Sequence, residues 1–150
     1  MLKKSFAVLL FITLATAVFA AQAKTVTIEG TNAMRFSVDK IEVTPGEEVT
    51  VKLVNNTKLP AAAMSHNWLL LDQDADAEAV DKAAMKAKDN DYIPESKADV
   101  IIAHTDLVAG GESDSVTFTA PTEPGKYEYI CTFPGHFAAG MKGYLVVKAE

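Results

Sequence analysis

The chain has 150 residues, with 14 Lys+Arg against 20 Asp+Glu and a formal charge of −6. That acidic balance excludes the concentrated basic face a nucleic-acid binder needs, and the length suits one ordinary domain with its own core. One cysteine, Cys131, excludes an internal disulfide.

The first residues, MLKKSFAVLLFITLATAVFAAQAK, place Lys3 and Lys4 before an apolar run from about Ser5 to Phe19, with small residues at Ala20, Ala21 and Ala23. This is the layout of a secretory signal, and the chain is expected to be cut after Ala23, with Ala21 and Ala23 as the small pair, a cut after Ala20 being the alternative. A membrane anchor needs about 20 apolar residues, more than this run supplies. A lipid-attached form would need a cysteine at the cut, and Cys131 lies far from it. Residues 24–150 then form a single exported domain with 12 Lys+Arg, 20 Asp+Glu and a charge of −8.

Short runs of period-two alternation dominate the rest. Val26 and Ile28 share one face, as do Val49, Val51 and Leu53, and Val116 and Phe118, the pattern of half-buried strands. Further strands are predicted over Arg35–Val43 (with a kink near Asp39–Lys40), His66–Leu71, Asp99–Thr105, Lys126–Thr132 and Gly143–Ala149. The clusters TPGEE, AGGES and PTEPGK supply turns. About eight such strands predict an all-β fold, a β-sandwich or barrel. Asp74–Asn90 departs from this. Val80, Ala83, Ala84 and Ala87 recur at helical spacing, which predicts a short helical flap with Met85 packed in it.

The chemistry gathers in ICTFPGHFAAGMKG, where Cys131, His136 and Met141 follow one another at five-residue intervals. Turns at Pro134–Gly135 and Gly140 allow one loop to present a thiolate, an imidazole and a thioether to one point. Those soft donors favour copper, and two histidines, a cysteine and a weak axial methionine make a blue-copper set. The second histidine has two candidates. His66 lies at a loop-to-strand junction, suited to a rim site, whereas His104 lies inside a strand and reads as a surface or hydrogen-bonded histidine. The competing reading of Cys131 is an inert buried thiol.

CTFPGH, MSHNW, VIIAHTDL and DSVTFTA together resemble the small blue-copper proteins of the azurin, plastocyanin and auracyanin group, over nearly all of residues 24–150. The resemblance implies a Greek-key β-sandwich, the cupredoxin fold. It assigns His66, Cys131 and His136 as equatorial ligands of one type 1 copper, cycling between Cu(II) and Cu(I), and Met141 as the long axial ligand. It also implies electron transfer between periplasmic redox proteins without substrate chemistry, by a monomer with no membrane span. A c-type cytochrome, or a copper-accepting reductase or oxidase, would be the partner. Backbone N–H groups of Asn67 and Phe133 would hydrogen-bond the Cys131 sulfur, with the Asn67 side chain bracing two loops. Trp68 is expected to fill the core.

Three departures from azurins stand out. FAAG puts four residues between His136 and Met141 where azurins have three, as in plastocyanins and auracyanins. The N-terminal disulfide of azurins is missing, and Ser65 replaces a glycine. Residues 59–64, with Pro134 and Phe137–Ala139, are expected to form an exposed apolar patch around the copper edge, and the acidic surplus would steer a basic partner. Two other classes compete: a copper carrier without a redox role would use the same ligands, and an enzyme would use Cys131 as nucleophile with His136 or His104 as base. The enzyme lacks a third group to orient the base.

Overall fold

The computed structural model describes residues 23–149. The signal expected over residues 1–23 lies, apart from Ala23, outside the described residues. Eight strands form two sheets: β1 (Lys24–Gly30), β2 (Lys40–Val43), β3 (Glu48–Asn55), β4 (Leu69–Leu71), β5 (Ile101–His104), β6 (Ser113–Thr119), β7 (Gly125–Ile130) and β8 (Lys142–Val147). The smaller sheet has the order β1-β3-β6 and the larger β2-β8-β7-β4-β5. β1 runs parallel to β3 and β2 to β8, while the other pairs are antiparallel. The all-β sandwich expected from the sequence is the architecture observed.

Alternation explains the sheets' inner faces. Val49, Val51 and Leu53 of β3, Tyr127 and Tyr129 of β7, and Leu145 and Val147 of β8 meet in one core with Ile28, Trp68 and Leu70. Full burial of each large aliphatic contributes about 1.5–3 kcal/mol. Trp68 is completely buried beside the Tyr129 ring, as a core residue should be. β4 breaks the alternation because all three leucines are buried. Leu70 faces the main core; Leu69 and Leu71 pack outward with Ile130 against Ala77 and Val80 of a helix.

That helix is the expected flap. α1 (Ala61–Met64) is a single turn before β4, and α2 (Ala77–Ala84) is the flap helix. The Asp76 side chain caps α2 by accepting a hydrogen bond from the Ala79 amide at 3.1 Å. Val80 and Ala84 face inward as their spacing requires, but Met85 is 40% exposed rather than packed in the flap. Met85 caps the C-terminal end of α2, beyond the buried stripe.

Other expected strands are shorter. Only Lys40–Val43 of the Arg35–Val43 stretch is strand, because Phe36 makes an isolated bridge to Gly30 and the chain breaks between them. Met34, just before, has a φ of 53°. His66 likewise stands before β4, held by an isolated bridge to Val108. No helix among the described residues is long and apolar enough to cross a membrane.

Candidate metal centre

Two segments meet at one end of the sandwich. β7 ends at Ile130 and delivers Cys131, whose amide donates to the Met141 carbonyl at 3.1 Å, so the β7–β8 pairing continues into the site. Between them the chain turns back. His136 N–H donates to Phe133 O at 3.0 Å and Met141 N–H to His136 O at 2.9 Å, while Gly135 and Gly140 take φ values of 85° and 95°. His66 enters from the other segment. Its N–H donates to Val108 O at 3.1 Å and its carbonyl accepts from Val108 N–H at 2.7 Å.

The ligand atoms of His66, Cys131 and His136 all lie within 4.8 Å of one another, and all three residues are buried. The two Nδ1 atoms are 3.2 Å apart, and Cys131 Sγ is 3.5 Å from His136 Nδ1. Donor separations of that size suit one ion bound at the usual distances of about 2.0–2.3 Å from nitrogen and sulfur. A thiol and two imidazoles form a donor set that fits copper. Met141 is fully buried in the main core beside this cluster and is tied by its backbone to both Cys131 and His136. His104, by contrast, is exposed on β5, with Nδ1 3.2 Å from Thr105 O, as a surface strand histidine would be.

The surroundings set the protonation states. Burial, and then the neighbouring His136, pull the His66 pKa from 6.5 down to about 4; burial does the same to His136. Both rings are therefore neutral and able to ligate at pH 7. Burial pushes the Cys131 thiol up to about 12, against the pull of the Asn67 and Phe133 backbone N–H groups on its sulfur; Asp81 adds to the rise. Those two N–H donors are the pair that the family resemblance implied.

Asn67 is the brace expected of it. Its Nδ2 donates to Thr132 Oγ1 and to Asp91 O, both at 2.9 Å, and its Oδ1 accepts from Thr132 N–H at 2.8 Å. Sequence reasoning missed several other supports. Asn55, fully buried, donates to Met64 O at 2.9 Å and Val108 O at 3.0 Å, tying the end of α1 to the residue that bridges His66. Gly30 lies against the His66 ring, where a β-carbon would sit 2.3 Å from Cδ2. The Phe133 ring lies 4.8 Å, centre to centre, from that of His136. Only Asn55, a polar residue closing an alternating apolar run, left a signal in the sequence.

The rim is partly the expected apolar patch. Leu59 is 44% exposed, and Pro60–Ala63, Pro134 and Ala138 are exposed too. Three members are corrected: Met64 is buried, Ala139 is half-buried, and Phe137 is half-buried against the flap cluster with Lys142 over its ring.

Residues 22–148 match the family model of copper binding proteins, plastocyanin/azurin family. The azurin of Bordetella pertussis is 44% identical over 132 residues, covering 85% of this chain and 85% of that protein. Auracyanin-B of Chloroflexus aurantiacus is 39% identical over 117 residues, 77% of this chain and 48% of that one. Among solved structures, one of auracyanin B superposes with a TM-score of 0.76 at 36% identity, covering 88% of this chain and 94% of that chain. The reduced auracyanin of Roseiflexus castenholzii gives 0.74 at 32% identity, over 85% and 98%. The likeness thus runs through both sequence and fold. The chain belongs to the plastocyanin/azurin family of copper-binding proteins, as a blue copper electron-transfer protein with a single type 1 copper.

Proposed function

We propose that His66, Cys131 and His136 would hold the copper, with the Met141 thioether as a fourth, weaker donor. The mature chain, residues 24–150, then moves single electrons between exported redox proteins in the periplasm, as a monomer and without enzymatic chemistry of its own. The observation that carries this reading is the convergence of three buried ligand atoms within 4.8 Å at one end of a rigid sandwich.

Bound copper supplies the one-electron Cu(II)/Cu(I) couple. The residues supply constancy of geometry. Phe133 and Gly30 confine the two imidazole rings, and Asn67 locks the Cys131 strand to the His66 strand. Side chains packed at interior density move little between states, which keeps the cost of reorganisation low. N–H donation from Asn67 and Phe133 stabilises negative charge on Sγ and so helps set the potential.

His136 is the proposed route in and out. It is buried in a loop whose Pro134, Gly135 and Ala138 are exposed, and the equally exposed Leu59–Ala63 stretch runs up to His66 in the chain; together these would give an apolar face fit for brief docking. The acidic surplus of the chain favours a basic partner, such as a c-type cytochrome, over an acidic one. Mixing the copper-loaded protein with a reduced c-type cytochrome tests the reading. Rapid, reversible, second-order electron transfer that slows with added salt is expected. Tight copper binding with no exchange of electrons would identify a carrier instead.

A further inference from the structure

We propose that Arg35 is a positioning residue of the metal-binding loop: it ties the stretch between His136 and Met141 to the β1–β2 connection and thereby fixes the position of Met141. This rests on the ligand assignment above.

Arg35 is the chain's only arginine, and no carboxylate pairs with it among the described residues. Its partners are carbonyls. Nη1 donates to Ala139 O, 104 residues away, and to Met34 O at 2.8 Å. One guanidinium nitrogen therefore bridges the connection after β1 and the loop before β8. The contact extends past the hydrogen bond. A β-carbon on Gly140 would lie 3.3 Å from both Cζ and Nη2 of Arg35, so the guanidinium packs directly on the Gly140 backbone. Gly140 immediately precedes Met141.

The loop needs such a tie. Within it, Ala139 N–H donates to Gly135 O at 3.0 Å and Gly140 N–H to Phe137 O at 2.8 Å, and Met141 N–H reaches back to His136 O. These bonds curl the loop on itself without joining its outer turn to the sandwich. Phe137 packs one side of the turn on the flap cluster, and Arg35 makes the hydrogen-bonded join on the Ala139–Gly140 side. Its own segment is a firm anchor: the Thr31 N–H and hydroxyl both donate to Arg35 O at 3.0 Å, and Met34 is held at a φ of 53°. The next residue, Phe36, is buried edge-on to Tyr129 and bridges Gly30, which in turn packs on His66. One connection thus supports the site from both sides, Gly30 under His66 and Arg35 over the methionine loop.

The planar guanidinium is suited to this position, because it can lie flat on a backbone while donating along its edge; an ammonium offers the charge without the plate. Arg35→Lys and Arg35→Met separate the two contributions. In the metal-free protein, amide exchange at Gly140 and Met141 should rise about tenfold in Arg35→Met, the factor expected for a lost hydrogen bond to a charged group, with exchange in β3 and β7 unchanged. In the copper-loaded protein, both variants should alter the intensity ratio of the two thiolate-to-copper absorption bands, which follows the axial bond. Arg35→Lys matching the parent in band ratio and exchange would reduce Arg35 to a surface charge and overturn the proposal. Unchanged exchange in Arg35→Met would also overturn it. A parent protein that binds no copper would defeat the ligand assignment, while the exchange measurement would still report on the tie.

Discussion

The metal-free protein should lose stability steeply between pH 6.5 and pH 4, because two neutral histidines are buried side by side. His66 and His136 have pKa values lowered from 6.5 to about 4, chiefly by burial. Above pH 6.5 both are neutral, folded or unfolded, and their contribution is fully present. As pH falls below 6.5 the unfolded chain takes up protons that the folded chain refuses until about pH 4, so stability drops across that window. A fall from 6.5 to about 4 corresponds to about 3 kcal/mol per histidine. The rings are coupled, with Nδ1 atoms 3.2 Å apart, so a first proton resists the second and the pair does not titrate as two independent sites. A total loss of about 3–6 kcal/mol is then expected, a large part of the 5–15 kcal/mol typical of a domain, roughly. Other groups fall outside the window or oppose it. Glu42, held at about 2 by Lys148 and Lys40, loses its contribution only in stronger acid, and Asp81, raised by burial, contributes with the opposite sign. Urea midpoints of the apo protein from pH 7.5 to pH 4, with the slope m monitored for constancy, measure the loss. His66→Gln should flatten the curve markedly. Equal midpoints at pH 7 and pH 4.5, or the same slope in His66→Gln, would refute the reasoning.

Copper uptake near pH 7 should release about one proton per ion, since the Cys131 thiol is protonated and both imidazoles are already neutral, and a pH indicator in weak buffer would record it. Gly30→Ala would force a β-carbon against the His66 ring; thermal unfolding should show lost stability, and a copper titration a weakened, spectrally altered site. Asn67→Ala strands the buried Thr132 N–H and should cost about 1–3 kcal/mol in denaturant unfolding, with a shifted reduction potential. Leu59→Glu, on the exposed rim, should leave the absorption spectrum unchanged and slow electron transfer with a cytochrome, as stopped-flow mixing would show.

The site was more legible in the sequence than its supports were. Cys131, His136 and Met141 lie on one turn-rich loop, so their neighbourhood is local and spacing exposes it. His66 was separable from His104 because one begins a strand and the other sits within it, and the structure puts the first in the cluster and the second on the surface. Strands with one covered face were readable from alternation. β4 falls inside the strand expected over His66–Leu71 but shows no alternation, because the flap covers its outer face and all three leucines are buried. Arg35–Val43 was expected as one strand kinked near Asp39–Lys40; the strand begins at that kink, and the residues before it, although Phe36 and Val38 alternate, leave the sheet to reach the metal loop. Gly30 and Arg35 act through approaches between segments far apart in the chain, which no local pattern records; Asn55 shows only as the polar residue that closes the apolar alternation of β3.

The central claim is that an unpaired, buried thiol and two buried imidazoles are the ligands of one copper. Titrating Cu(II) into the purified mature protein tests it most directly. The expected result is an intense blue thiolate-to-copper band that saturates at about one equivalent and is absent from Cys131→Ala. A colourless complex in which the Cys131 thiol still reacts with a thiol reagent would contradict it.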